Sequence, residues 1–290
     1  MVPLTKILLP VDFSERSPGA AHYARHLAGH FGSKVVMMHV MNRAEYAIGA
    51  PELAGVLLGD WNDSRKAEAQ KALDTFLADE FQSITVERLL AEGDPAVEVV
   101  DYAHDEKVEL IILPTHGYGP FRRFILGSVT AKVLHDADCP VLTGVHLAEI
   151  PAPTAIHFTN VLCAIDLGPL SEKTLGWAKS FAGEFGATLH LVHALPMLGA
   201  GQSEYFDPDW RIMLANQAKE QIESLQQRAG TQASVTLESG DVSKVVDTAA
   251  AAVKADLLVI GRSSTAGIMG RLRANAYAII REAPCPVISI

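Results

Sequence analysis

The sequence is poor in basic residues relative to acidic ones. Its 24 lysines and arginines face 34 aspartates and glutamates, which gives a formal net charge of −10 over 290 residues. Nucleic-acid binding depends on a basic surface that neutralises phosphates. Nucleic acids and acidic membranes are therefore not expected as partners.

Cysteines and long apolar runs are also scarce. Cys139, Cys163 and Cys285 lack the CxxC spacing of a zinc site and are too few for a disulfide framework. Cys139 and Cys285 each lie beside an apolar run, where a buried structural thiol is expected. No stretch of about 18 apolar residues predicts a transmembrane helix. The first residues, MVPLTKILLPVDFSERS, have no basic signal-peptide region and soon become acidic, so we expect a cytoplasmic protein.

The sequence repeats itself. Residues 6–42 align without a gap with residues 160–196, and a Cys-Pro-Val tripeptide begins at Cys139 and again at Cys285. Matched segments in the same order indicate a duplicated unit of about 145 residues. We therefore predict three parts: domain 1 at residues 1–145, a linker at residues 146–159 and domain 2 at residues 160–290.

Each copy alternates apolar strands with amphipathic helices. The run KILLPV is short and continuously apolar, as expected for a strand buried on both faces. Four helices are predicted among five strands in domain 1, one of them over residues 64–81. This order predicts the α/β class, with an open parallel five-stranded sheet and helices on both faces in each domain. Ligands bind at the carboxyl ends of such strands, near Asp12, Val40 and the loop 114–128.

Asp12 ends the first apolar strand, and Asp166 repeats it in the second copy. Such a carboxylate serves either as a polar anchor for a ligand or as a turn or helix-cap group that accepts backbone N–H bonds. Recurrence in both copies is compatible with each interpretation.

Residues 113–130, LPTHGYGPFRRFILGSVT, have the composition of an anion-binding loop. Gly117 and Gly119 allow close approach of the backbone to a ligand. A new helix begins at Gly127, where free N–H groups and the helix dipole favour an anion. The arginines at 122–123 add charge-assisted donors. An ordinary strand-to-helix loop is the alternative, but the coincidence of these features favours phosphate binding.

Several short motifs mark a family resemblance. They are the opening KILLPVDFSE, the His39-Val40 pair, the Glu-Gly-Asp at 92–94 and the repeated Cys-Pro-Val. With the loop spacing Pro114-x₂-Gly117-x₉-Gly127-Ser128, the whole chain resembles a tandem universal stress protein. The family's ATP pattern is Gly-x₂-Gly-x₉-Gly-Ser/Thr, so three of its four positions match and proline replaces the first glycine.

The resemblance implies a Rossmann-like, adenine nucleotide hydrolase-like fold that binds ATP or AMP, with or without Mg²⁺. It also implies that the two domains form a pseudo-dimer within one chain. The adenine and ribose side would be lined by Pro10, Asp12 and Val40. The phosphates would be held by Pro114, Thr115, His116, Gly117, Gly127, Ser128, Val129 and Thr130.

Domain 2 departs further from the pattern, since it reads Gly261-x₂-Ser264-x₉-Ala274-Asn275. It keeps the glycine that domain 1 lost and loses the other two. A degenerate site kept for its fold is favoured over a second nucleotide site. The residues that would take part are Asp166, Gly261, Arg262, Ser263, Ser264 and Asn275.

The histidines call for a separate interpretation. His22, His26 and His30 recur at four-residue spacing, which suits a metal site but is favoured here as a solvated or pH-sensitive face. His39 and His193 occupy equivalent strand positions and are predicted to be core histidines with satisfied hydrogen bonds.

The leading functional hypothesis is a cytoplasmic stress-response protein that binds ATP or AMP mainly in domain 1 and acts as a nucleotide-linked regulator of unknown protein partners. No catalytic residues are assigned, and without a dedicated base efficient ATP hydrolysis is not expected. The first alternative is a nucleotide-independent interaction or scaffold protein with both sites degenerate. The second is a small-molecule enzyme that uses ATP. Whether two chains form a homodimer is left open.

Overall fold

The computed structural model describes residues 4–42, 58–115, 126–148, 155–196, 208–262 and 274–290. The described residues up to Thr143 belong to one compact unit, and those from His157 onward belong to a second. The two units are domains 1 and 2, and each is described by itself.

Domain 1 contains a parallel sheet with the strand order β3-β2-β1-β4-β5. Its strands are β1 Lys6–Pro10, β2 Lys34–Met41, β3 Val86–Glu92, β4 Leu110–Ile112 and β5 Val141–Thr143. Its helices are α1 Ser17–Phe31, α2 Leu58–Thr75, α3 Pro95–Asp105 and α4 Ser128–Asp136.

Domain 2 repeats this plan with the order β10-β9-β6-β7-β8, again with parallel pairs. Its strands are β6 Asn160–Ala164, β7 Thr188–Leu195, β8 Ser234–Ser239, β9 Leu257–Ile260 and β10 Val287–Ser289. Its helices are α5 Ser171–Phe185, α6 Pro208–Ala229, α7 Val242–Ala252 and α8 Ala274–Glu282. The predicted α/β class is confirmed.

The central strands form the core of each sheet. Every residue of β4 and of β9 is buried, whereas β3 and β8 are partly exposed along their length. Burying one Leu or Ile side chain stabilises a fold by about 1.5–3 kcal/mol. Short apolar strands at the centre of each sheet therefore supply much of the driving force for folding.

Helix ends follow local chemistry. Helix α1 ends at Gly32, whose φ of 70° is left-handed, and Gly186 ends α5 in the same way at 63°. The predicted helix over residues 64–81 is wrong at both ends. It starts earlier and ends at Thr75, because Leu77 adopts a φ of 48° that an α-helix cannot contain. None of the helices in the described ranges is long and apolar enough to cross a bilayer.

Candidate functional site

The turn that follows β1 is built around the carboxylate of Asp12. Its Oδ1 accepts the backbone N–H of Ser14 at 3.0 Å and the hydroxyl of Ser17 at 2.7 Å. The backbone N–H of Asp12 in turn donates to the Ser17 hydroxyl oxygen at 3.3 Å. The intervening residue, Phe13, has a left-handed φ of 59°. Asp12 therefore ties the end of β1 to the first turn of α1.

Domain 2 forms the same turn with different side chains. Asp166 Oδ1 accepts the backbone N–H of Gly168 at 2.8 Å and the hydroxyl of Ser171 at 3.1 Å. Leu167 takes the place of Phe13 and has a φ of 58°. Of the two sequence interpretations, the turn role accounts for the recurrence of this aspartate in both domains.

The carboxyl end of β2 is joined to this turn by a histidine. His39 Nδ1 lies 2.8 Å from the carbonyl oxygen of Val11, and His193 Nδ1 lies 2.8 Å from that of Ile165. A carbonyl oxygen only accepts, so Nδ1 carries the proton in each ring. The prediction of satisfied histidines is confirmed, although both rings are half-buried rather than fully enclosed.

The predicted adenine side lies at adjacent strand ends. Pro10 is the last residue of β1 and pairs with Met38 of β2, and Val40 follows two residues later. Pro10 and Val40 are both half-buried. The sheet therefore brings together the three residues predicted for this side of the site, including Asp12.

Two hydrogen bonds join the end of β4 to the start of α4. The Gly127 N–H donates to the Thr115 carbonyl at 2.8 Å, and the Thr130 hydroxyl donates to the Pro114 carbonyl at 2.9 Å. Thr115 and Thr130 are buried. The Thr130 hydroxyl is thus engaged in the fold. His116 and Gly117, also predicted for this site, lie outside the described residues.

The N-terminus of α4 has no side-chain cap. Gly127 is the N-cap residue, with φ −60° and ψ 146°, and no acidic residue lies in the first turn. By contrast, Asp94 caps α3 and Asp241 caps α7 through side-chain oxygens. The first N–H groups of a helix have no intrahelical partner. Among the described residues, no side-chain cap takes those of α4, which leaves them for an anion next to the exposed residue Ser128.

Gly127 is not required by its backbone dihedrals, because any residue adopts a φ of −60°. What glycine contributes here is the absence of a side chain over the start of the helix. A close backbone approach to a ligand is the physical reason for that choice.

Pro114 does not interrupt the bonds between β4 and β5. The backbone N–H of Ile111 donates to the carbonyl of Pro140, just before β5, at 3.0 Å, and that of Leu113 donates to Leu142 of β5 at 3.1 Å. Successive N–H groups of a strand point to opposite sides, so the missing donor of Pro114 does not belong to the β4–β5 ladder.

The glycine that domain 2 keeps at this position is explained by packing. Gly261 does not adopt a positive φ, but a Cβ placed there would lie 2.9 Å from Thr174 Oγ1. Domain 1 has Ala20 where domain 2 has Thr174. The smaller alanine allows a residue with a side chain at 114, whereas Thr174 requires glycine at 261.

The other residues predicted for domain 2 are described only in part. Arg262 is buried, and its backbone N–H donates to the Ile290 carbonyl at 2.8 Å. Asn275 is exposed in the first turn of α8. Ser263 and Ser264 lie outside the described residues.

Comparison with known proteins places this arrangement in a family. The model of the Universal stress protein family matches residues 3–143 and again residues 157–290. The chain belongs to the universal stress protein family. The two matches cover most of the sequence, so this is a tandem universal stress protein, as the sequence predicted.

Similar proteins differ in how much of this universal stress protein they match. A universal stress protein of Methanocaldococcus jannaschii is 34% identical over 143 residues, which is 47% of this chain and 79% of the relative. One from Mycobacterium tuberculosis is 27% identical over 296 residues, covering 97% of this chain and 95% of the relative. The crystal structure of a universal stress protein from Archaeoglobus fulgidus has a TM-score of 0.71 at 23% identity. It covers 99% of this chain and 96% of its own, and shows the fold.

One of the clustered histidines and the three thiols can be compared with their predicted environments. His22 is buried, and its Nε2 lies 2.7 Å from Glu80 Oε2, so the predicted solvated face is wrong for this residue. Burial raises the pKa of the Cys163 thiol to about 12. Burial, with nearby acidic groups, does the same for Cys285. Cys139, predicted to be buried like Cys285, is only half-buried. In the described part of the chain, no group of three His, Cys, Asp or Glu side chains is placed to hold a metal ion.

Sequence reasoning missed two features of the site. The pairing of Ser17 with Asp12 had a signal, because Ser171 and Asp166 recur at the same spacing. The left-handed φ of Phe13 had none, because bulky residues rarely adopt that conformation.

Proposed function

We propose that this universal stress protein is a cytoplasmic stress-response regulator that binds ATP or AMP mainly in domain 1. The observation that carries the proposal is the uncapped N-terminus of α4, bonded to the end of β4 through Gly127 and Thr115. Helix α3 of domain 1 and helix α7 of domain 2 satisfy the same positions with aspartate side chains. A helix start kept free of acidic groups at the carboxyl edge of a parallel sheet suits a phosphate group.

The phosphates would accept hydrogen bonds from the backbone N–H groups of Ser128, Val129 and Thr130. Ser128 is exposed, so its hydroxyl is available as a further donor. Gly117 completes the spacing of the family's pattern and would approach the phosphates from the preceding loop. With Mg²⁺ bound, part of the phosphate charge would be neutralised by the ion rather than by the protein.

The adenine and ribose would lie at the ends of β1 and β2, beside Pro10 and Val40. Asp12 Oδ1 is committed to the turn. Within the described residues Oδ2 accepts no hydrogen bond, so it would be the atom that meets a ribose hydroxyl.

Domain 2 supports nucleotide binding less well. Its retained glycine, Gly261, is accounted for by Thr174. Its helix α8 starts at Ala274 rather than at a Gly-Ser pair. We therefore assign domain 2 a degenerate site whose fold has been retained.

The test is a calorimetric titration with ATP and with AMP. Gly127→Val places a branched side chain over the start of α4 and should weaken binding by at least about tenfold, since it blocks the backbone donors. The matched control is Ala274→Val, the equivalent position of domain 2, which should leave the affinity unchanged. Circular dichroism of both variants checks that they fold.

The outcomes separate the hypotheses. Wild-type protein that binds neither nucleotide, and whose thermal stability neither nucleotide shifts, would support the nucleotide-independent scaffold instead. Loss of binding in Ala274→Val with retention in Gly127→Val would place the site in domain 2 and contradict the assignment.

A further inference from the structure

A line of side-chain contacts in domain 1 runs from β3, through the end of α2, to the Asp12 turn. It begins at Arg88, which lies on β3 opposite Met37 of β2. Arg88 Nη1 donates to the carbonyl of Leu73 and, at 3.0 Å, to that of Phe76. These carbonyls belong to the last turn of α2 and the residue after it, where helix carbonyls lose their intrahelical partners. Arg88 therefore fixes the end of α2 against the sheet.

The second link is aromatic. The ring of Phe76 lies 5.7 Å from the ring of Phe13, centroid to centroid, at an edge-to-face angle of 64°. Phe13 also lies 4.4 Å from the ring of His39. The separation and angle of the Phe13–Phe76 pair are those of a favourable aromatic pair. Phe13 thus connects the end of α2 to the turn that contains Asp12.

Domain 2 shows that the turn itself does not need these contacts. Leu167 occupies the position of Phe13 with almost the same φ, and the Asp166 hydrogen bonds are intact. In domain 1, Arg88 pairs with Met37. In domain 2 the equivalent of Met37 is Leu191, and the residue that pairs with it is Val235, an exposed valine. The aromatic and guanidinium contacts are therefore an addition specific to domain 1, the domain proposed to bind nucleotide.

We propose that Phe13, Phe76 and Arg88 are positioning residues that couple the end of α2 to the Asp12 turn. None of the three needs to touch a ligand. Displacing the end of α2 removes the contact between the Phe76 and Phe13 rings, and the Asp12 turn then loses one of the contacts that hold it. The part of this inference that concerns nucleotide rests on the proposed function. A nucleotide that stabilises the turn would also stabilise the end of α2, and an ordered end of α2 would favour nucleotide binding by the same coupling free energy, because linkage is reciprocal.

Hydrogen exchange on the ligand-free, full-length chain tests the coupling without any nucleotide. The reporter is the Ser14 amide, which donates to Asp12 Oδ1. Arg88→Val introduces the residue type of domain 2 at a site that does not contact the turn. It should accelerate exchange at Ser14 about two- to tenfold, the range set by loss of one aromatic contact. Phe13→Leu, again the domain 2 residue type, should act in the same direction.

Two amides serve as controls. Gly168 makes the equivalent bond in domain 2 and should exchange at its wild-type rate. Leu113, bonded to β5 in domain 1, reports general destabilisation. Unchanged exchange at Ser14, or equal acceleration at Ser14 and Leu113, overturns the proposal. Arg88→Lys keeps the charge but lacks the forked donors; if Arg88→Val does not fold, the lysine variant is judged by the same criteria.

The nucleotide arm follows the Phe76 amide, which donates to Ala72 in α2. In wild-type protein, saturating ATP should slow its exchange about two- to tenfold, and Phe13→Leu should abolish that slowing. ATP that binds without slowing Phe76 contradicts the coupling. A protein that binds no ATP contradicts the proposed function instead, while the Ser14 result decides the coupling on its own.

Discussion

Replacing Gly261 with alanine should destabilise domain 2 through one defined contact. The added Cβ would lie 2.9 Å from Thr174 Oγ1, closer than real Cβ contacts allow. Thr174 is only 2% exposed, and its hydroxyl donates to the Leu170 carbonyl at 3.0 Å. Either the backbone shifts, or the hydroxyl turns away and leaves its hydrogen bond. Overpacking and a lost buried hydrogen bond each cost about 1–3 kcal/mol, so we expect the free energy of unfolding to fall by that amount.

The assay is a double-mutant cycle measured by urea unfolding. Thr174→Ala removes the hydroxyl that the new Cβ meets, so Gly261→Ala should cost much less in the Thr174→Ala background. The expected interaction free energy is about 1–3 kcal/mol. Additivity to within about 0.5 kcal/mol would refute the packing explanation of the retained glycine. In domain 1 the equivalent variant is Ala20→Thr, which should be destabilising because residue 114 is a proline, not the glycine that lies against Thr174 in domain 2.

Two further predictions concern ionisation. The Val97 N–H, above all, lowers the pKa of Asp94 below its ordinary value. A carboxylate whose pKa is lowered by folding stabilises the folded state at pH values above its ordinary pKa. That stabilisation is lost as the pH falls through the pKa of the folded state. Asp94→Ala should therefore lower the free energy of unfolding by about 1 kcal/mol at neutral pH, with a smaller difference at about pH 3; a difference independent of pH would contradict the capping role. Cys163 and Cys285, whose pKa is raised to about 12, should resist alkylation by iodoacetamide at pH 8 until urea unfolds the protein. Rapid labelling of either native thiol, located by mass spectrometry, would be the opposite result.

Much of the fold was predictable because it depends on local pattern and on repetition. Buried parallel strands are continuously apolar, and β4 and β9 follow that rule along their whole length. Because residues 6–42 align without a gap with residues 160–196, the strands predicted in domain 1 also predict those of domain 2. The end of α2 was not predictable, since the left-handed φ of Leu77 interrupts an amphipathic pattern that continues past it.

For the described candidate residues, the sequence predicted their place at the strand ends better than their contacts. Position follows from topology, which places the residues after parallel strands at one edge. The role of Asp12 depends on which partners its oxygens meet, and Ser14 and Ser17 become neighbours only when the turn folds. Gly261 likewise owes its explanation to Thr174, a residue of another helix. Contacts of this kind are tertiary, and the residue spacing within a single motif does not predict them.

The bonds between the end of β4 and the start of α4 have a consequence for protein engineering. The Gly127 N–H meets the Thr115 carbonyl, and the Thr130 hydroxyl meets the Pro114 carbonyl. Both ends of the intervening sequence are thus anchored to each other by residues outside it. Loop closure then adds only about 0.6 kcal/mol for each doubling of length. Adding residues between Thr115 and Gly127 should therefore cost the fold little stability, because these two bonds keep the strand and the helix joined.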